Sequence, residues 1–235
     1  MSTSEVAVEN AICVALDTAS PSGALEMATT LRDSVGAVKV GLTAFATGGG
    51  DLVRSIAETQ RVFLDLKFHD IPVQVAGAVS AVRHLGADLT TVHASGGRAM
   101  LAAAAEAAGD EVNVLAVTVL TSLDREELSD IGFAGDPESS VLRLVELSLR
   151  AGVRGIVCSP LEVAPIRARF GRHDAGGPYL VVPGIRPEAA DAGDQRRTLT
   201  PRQALDAGAD LLVIGRPITA APDPAAAARD IARSL

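Results

Sequence analysis

Apolar positions along this chain of 235 residues gather into short dense runs separated by amphipathic stretches. Eight runs of strand length stand out, at 11–17, 36–41, 61–67, 88–93, 112–118, 153–158, 179–183 and 210–215. Between them, amphipathic or alanine-rich patterns predict helices near 22–34, 51–58, 73–85, 98–108, 138–151, 160–169, 201–207 and 224–234. Gly86, Gly109, Gly152 and Gly208 follow several of these, at the place where helices commonly stop. Strands alternating with helices imply a parallel sheet with right-handed crossovers. Eight such units in this length predict an α/β protein, a (β/α)8 TIM barrel, as a single domain over residues 1–235. A doubly wound open sheet is the other option. It usually carries a glycine-rich loop after its first strand, where this chain has Asp17-Thr-Ala-Ser-Pro21.

Composition narrows the class. Hydrophobic residues make up 48% of the chain and charged residues 21%, enough for a substantial core. A formal charge of −8 argues against nucleic acid as a partner, because a polyanion needs many neutralising cations. Cys13 and Cys158 both sit in apolar runs, which fits buried thiols in a reducing compartment. The N-terminus lacks the basic start and apolar run of a signal peptide, and no stretch has the length of a membrane span. The expectation is a cytoplasmic globular protein.

Chemistry enters at Arg61-Val-Phe-Leu-Asp65-Leu-Lys67-Phe-His-Asp70-Ile71-Pro72. Side chains alternate between the faces of a strand, so Phe63, Asp65 and Lys67 share one face. An acid and a base on an interior face are costly to desolvate, which makes them candidates for a site rather than for structure. The same alternation puts Asp17 at the end of strand one and Lys39 near the end of strand two. Four charges of alternating sign, Asp17, Lys39, Asp65 and Lys67, then meet at one mouth, each beside an opposite neighbour. Asp70 has two compatible readings, a cap for the following helix, with Pro72 just inside it, or a site residue.

Two further features lie at strand ends. Strand seven ends in Pro183-Gly184-Ile185-Arg186 and strand eight in Gly215-Arg216-Pro217. Glycine permits close backbone approach, arginine offers a planar fork, and barrels commonly hold phosphate after these two strands. Gln195 lies in the intervening loop. The connections 119–137 and 184–200 are longer than the fold needs and are candidates for a lid. Thr47-Gly-Gly-Gly50 lacks the Lys-Ser/Thr of a Walker loop and reads as a turn before helix two. His93 has no clustered ligands around it and reads as a hydrogen-bonding support rather than a metal ligand.

Together these residues resemble the orotidine 5′-phosphate decarboxylase family in its bacterial short-chain form. The resemblance runs from about residue 11 to residue 216. It rests on Asp17 in LD, Lys39 in VKVG, Asp65-x-Lys67-x-x-Asp70-Ile71-Pro72, Thr121 in LTS, Gly184-Ile-Arg186, Gln195 in DQRR and Gly215-Arg216. It implies decarboxylation of orotidine 5′-phosphate to UMP without cofactor or metal, in a homodimer. It further implies that Asp17 and Lys39 hold the ribose hydroxyls and that Asp65 and Lys67 face the reacting carbon, with Lys67 as proton donor. Asp70 and Ile71 would enter the neighbouring subunit's site and Thr121 would meet the pyrimidine. Arg186, Gln195, Gly215 and Arg216 would hold the phosphate.

Three alternatives share parts of the pattern. Magnesium-dependent sugar-phosphate aldolases or decarboxylases of the same superfamily resemble the chain in DxKxxD, but carry an acidic metal ligand where this chain has Lys39. A Schiff-base aldolase needs a lysine that readily loses its proton, and here the lysines are bordered by carboxylates. A non-catalytic nucleotide-binding barrel would share the binding residues.

Overall fold

A computed structural model describes residues 11–133, 135–187 and 199–235. Eight parallel strands close into a barrel in sequence order: β1 (Ile12–Ala15), β2 (Ala37–Val40), β3 (Val62–Phe68), β4 (Leu89–His93), β5 (Asn113–Val117), β6 (Gly155–Val157), β7 (Tyr179–Val182) and β8 (Leu211–Ile214). Each falls within one of the eight apolar runs except at Phe68, which extends β3 by a residue. β8 returns to pair with β1, so the sheet has no open edge and the doubly wound alternative is excluded.

Helices follow the strands around the outside: α1 (Pro21–Leu31), α2 (Leu42–Ala57), α3 (Pro72–His84), α4 (Gly97–Ala108), α5 (Arg125–Asp130), α6 (Pro137–Arg150), α7 (Val163–Phe170), α8 (Pro201–Ala207), α9 (Arg216–Thr219) and α10 (Pro224–Arg233). Local chemistry sets their starts. Ser20 and Asp136 accept from the backbone N–H groups of Gly23 and Ser139, and a proline at the first helical position follows each cap. In α6, Val141, Leu144, Val145 and Ser148 are buried at helical spacing. The second helix departs from expectation. The Thr47–Gly50 stretch lies inside α2, which begins at Leu42 and breaks only at Gly49, where φ is +56°. One left-handed residue kinks the helix without ending it.

Two apolar layers fill the molecule. The larger lies between strands and helices and includes Val14, Val38, Leu64, Ile156 and Ile214. The smaller fills the barrel: Cys13, Ala15, Ala37, Phe63, Leu89, Leu115, Val181, Leu211 and Val213. The barrel interior is tight, since a Cβ on Gly155 would stand 2.3 Å from Leu115 Cδ2. Burial pushes the Cys13 thiol up to about 12, so it acts there as a small apolar side chain.

A buried ion pair ties α7 to the starts of β7 and β8. Arg167 Nη2 donates to Asp210 Oδ2 at 2.6 Å, while its other nitrogens reach the carbonyls of Gly208, Gly171 and Pro178. The same Asp210 oxygen accepts from Leu180 N–H at 2.6 Å. Arg167→Ala removes one partner of a buried pair and should lower unfolding free energy by about 3–5 kcal/mol in denaturant titrations. A loss below about 1 kcal/mol, the range of exposed pairs, would contradict this role.

Candidate active site

β3 is the element from which the site is built. Its alternation puts Phe63 into the barrel interior and Leu64 into the outer layer. The pairing with β4 is then interrupted: Leu64 pairs with Thr90 and Phe68 with Val92. Four steps along β3 therefore match two along β4. Within this bulge Lys67 has φ +52°, the one left-handed non-glycine among the described residues. Such a conformation costs roughly 1–3 kcal/mol and persists only where neighbours over-determine it.

The bulge folds Lys67 back onto Asp65. Lys67 Nζ lies 2.8 Å from Asp65 Oδ1 and 2.9 Å from Oδ2. Lys39 Nζ, from β2, sits 3.4 Å from Asp65 Oδ2 and 3.3 Å from Asp17 Oδ1 just beyond β1. The four charges of the sequence reading thus form one chain, Asp17–Lys39–Asp65–Lys67. The inner pair is the drier one, with the Lys39 and Asp65 side chains 12% and 11% exposed. Gly41 leaves room for it, because a Cβ there would stand 3.0 Å from both Asp17 Oδ1 and Lys39 Nζ.

Burial and pairing compete at these groups, and pairing wins. Burial acts to strip the Lys39 proton, but the Asp65 and Asp17 carboxylates reverse that and raise its pKa above the usual lysine value. Burial likewise favours protonating Asp65. The charges of Lys39 and Lys67, with hydrogen bonds from Lys67 and Thr91, bring its pKa below the usual carboxyl value. Both groups are therefore ionised at neutral pH. His93, at the end of β4, packs its ring 5.3 Å from that of His69. Burial, then the charges of His69 and Lys67, lower its pKa, so its imidazole is neutral at pH 7.

Above the charge chain opens a cavity of about 320 Å³. Asp17, Lys39, Asp65 and Lys67 line one side, and Phe63, Val117, Val157 and Val213 contribute apolar surface. Thr121 lines it from the connection after β5. Gly184, Arg186, Gly215 and Arg216 line it from the ends of β7 and β8, with Gly184 at φ +79°. The Gly–Arg pairs and the charge chain therefore share one enclosure. Gln195 lies outside the described residues.

Asp70 and Ile71 are placed differently. Asp70 is exposed and does not line the cavity. It does not cap α3 either: the cap position is Ile71, and Asp70 Oδ1 accepts only from the Ile71 N–H at 2.6 Å. The cap reading is corrected, because the chain enters the helix one residue later than that reading requires. Ile71 and Val73 are 60% and 68% exposed beside it.

Thr91 is the contact that the sequence reading passed over. Wholly buried on β4, its hydroxyl accepts from Lys67 N–H at 2.8 Å and donates to Asp65 Oδ1 at 2.9 Å. Alternation along β4 puts Thr91 on the same face as Leu89 and His93, which was the available signal. The hydroxyl's bond to Lys67 N–H depends on the bulge, which no spacing reveals.

Comparison with known proteins places this geometry in a family. The model of the orotidine 5′-phosphate decarboxylase / HUMPS family matches residues 10–231. The orotidine 5′-phosphate decarboxylase of Anaeromyxobacter sp. (strain K) is 53% identical, covering 95% of this chain and 97% of its own. That of Sphingopyxis alaskensis is 47% identical, covering 95% and 98%. Among solved structures, the orotidine 5′-phosphate decarboxylase of Lactobacillus acidophilus superposes with a TM-score of 0.83 at 34% identity, covering 94% of this chain and 97% of its own. The chain belongs to the orotidine 5′-phosphate decarboxylase / HUMPS family.

The charge chain has a stability signature with a defined sign. A carboxyl whose pKa is lower folded than unfolded contributes stability above its unfolded value, and loses it as pH falls through the folded value. Asp65→Asn leaves Lys67 uncompensated and Lys39 with Asp17 alone, and should destabilise by about 3–5 kcal/mol at pH 7. The gap from wild type should begin to close only below about pH 4, the ordinary carboxyl value, as the wild-type carboxyl takes up its proton. Urea titrations from pH 7 downward measure this, and a gap that does not narrow would contradict the assignment.

Proposed function

We propose that this chain decarboxylates orotidine 5′-phosphate to UMP, in the last step of pyrimidine nucleotide synthesis, as one catalytic domain. The observation that carries the reading is the Lys67 ammonium, held against both oxygens of Asp65 within a cavity that also receives Arg186 and Arg216. Membership of the family and the names of its relatives support the substrate. A cavity of about 320 Å³ falls in the usual range for small-molecule sites, roughly 300–1,000 Å³.

In this reading the phosphate lies between Gly184–Arg186 and Gly215–Arg216, with Gln195 reaching it from the connection between them. The ribose hydroxyls meet Asp17 and Lys39, and the pyrimidine meets Thr121. Breaking the bond from C6 to the carboxylate releases CO₂ and leaves the electron pair on C6, in the ring plane, where π delocalisation cannot spread it. Lys67 provides the adjacent positive charge and then transfers its Nζ proton to C6, and solvent returns a proton to the amine. Asp65 orients Lys67 and sets a negative charge near the departing carboxylate. Arginine contacts remote from C6 supply binding energy that positions the reacting end.

Lys39 weighs against the magnesium-dependent alternative. Its ammonium lies between Asp17 and Asp65, in the place a divalent ion bridging those carboxylates would occupy. Activity should accordingly survive exhaustive EDTA treatment and gain nothing from magnesium. Loss reversed by magnesium would move the assignment to the sugar-phosphate branch. A spectrophotometric assay with orotidine 5′-phosphate tests the reaction itself. Lys67→Ala should bind the substrate yet lose nearly all turnover, and near-normal turnover would remove Lys67 from the chemistry.

The working unit in this proposal is a homodimer in which Asp70 and Ile71 complete the partner's site. Their exposure beside the end of β3, next to exposed Val73, supports it. Lys67→Ala and Asp70→Ala dimers should each be nearly inactive. Unfolding an equal mixture and refolding it together makes half the dimers mixed, and each mixed dimer has one intact site. About a quarter of all sites should then recover, by two-fold symmetry. Activity that stays at the level of the separate variants after complete exchange would exclude a role for Asp70 across the interface.

A further inference from the structure

We infer that Thr91 is a positioning residue for the reaction, its single hydroxyl locking the backbone of Lys67 and the carboxylate of Asp65 into one geometry. The inference deepens the decarboxylase reading and rests on it for the identity of the reaction. Its structural content is independent of that reading.

Three observations carry it. Thr91 Oγ1 makes two bonds of opposite sense, accepting from Lys67 N–H at 2.8 Å and donating to Asp65 Oδ1 at 2.9 Å. A hydroxyl has one proton to give, and here it goes to a carboxylate that Lys39 and Lys67 hold ionised. The residue it holds is the left-handed one, Lys67 at φ +52°, inside the stretch that the β3–β4 register skips. Thr91 is also wholly buried, so no water competes for either bond. Without the hydroxyl, Lys67 N–H loses its acceptor and Asp65 loses a donor, and both hold the ammonium in place.

The adjacent residue supplies an internal control. Thr90 is equally buried, but its hydroxyl donates to the backbone carbonyl of Leu64 at 3.0 Å. It faces away from the charge chain, so it shares the packing role of Thr91 and not the positioning role.

Thr91→Val, Thr91→Ser and Thr90→Val separate the two. Thr91→Val should lower kcat by about 100-fold, the scale for misplacing a reacting group by about an ångström, with KM changed much less. Thr91→Ser, which retains the oxygen, should recover most of kcat, and Thr90→Val should keep a near-normal kcat. A second readout needs no turnover: the carboxyl ¹³C signal of Asp65 followed against pH. Lys39 and Lys67 face this carboxylate directly, with Asp17, His93 and Cys13 beyond them. Removing the Thr91 donor should raise the pH at which Asp65 titrates in Thr91→Val and leave it unchanged in Thr90→Val. A wild-type protein that does not turn over orotidine 5′-phosphate would overturn the decarboxylase reading, while the titration would still decide the role of Thr91. Wild-type kcat in Thr91→Val, equal impairment in Thr91→Ser, an equal loss in Thr90→Val or an unmoved Asp65 titration would each overturn it. If Thr91→Val fails to fold, Thr91→Ala, which also lacks the hydroxyl that bonds Lys67 N–H and Asp65, makes the same test of kcat and of the Asp65 titration.

Discussion

Everything at the mouth of this barrel depends on compensating charges taken partly out of water. A lone ammonium or carboxylate in such a place would shift its pKa and neutralise, since desolvation of an isolated ion costs several kcal/mol. Here each inner charge has an opposite neighbour: Lys39 between Asp17 and Asp65, and Asp65 between Lys39 and Lys67. The closed barrel provides the neighbours, because β1, β2 and β3 lie side by side, with Asp17 just beyond β1, Lys39 near the end of β2, and Asp65 and Lys67 in the last part of β3. Removing any inner member leaves another charge uncompensated, so the chain acts as a unit.

Local distortion turns this electrostatic arrangement into a geometric one. A regular strand would hold Asp65 and Lys67 side by side and parallel. The bulge in β3 turns Lys67 back so that its ammonium contacts both Asp65 oxygens, and the left-handed backbone at Lys67 is the strain that this creates. Bulges beside functional sites commonly re-aim a side chain in this way. The rigid layers beneath it, with Phe63 packed inside the barrel and Leu64 outside, keep the strained segment from relaxing.

The barrel was legible in the sequence because its strands are covered on both faces and read as unbroken apolar runs. Their ends were less so: apolar residues such as Leu16 and Cys158 stay buried beyond the last paired residue, and the runs overreach the strands. In α2 the three consecutive glycines read as a turn, whereas only Gly49 leaves helical geometry. Alternation alone brought Asp17, Lys39, Asp65 and Lys67 to one mouth. It could not show the fold-back of Lys67 or the hydroxyl of Thr91 beneath it, since both arise from the offset between β3 and β4. The role proposed for Asp70 and Ile71 came only from the family resemblance, because it belongs to a second copy of the chain and no pattern within one copy expresses it.

The central claim is that the reacting carbon of the nucleotide meets Lys67 while its phosphate meets the two Gly–Arg turns. A crystal structure with UMP bound tests this most directly. The account predicts the phosphate between Gly184–Arg186 and Gly215–Arg216, with pyrimidine C6 about 3–3.5 Å from Lys67 Nζ, the separation of a reactive geometry. A nucleotide bound elsewhere, or seated in the cavity with C6 turned away from Lys67, would contradict it.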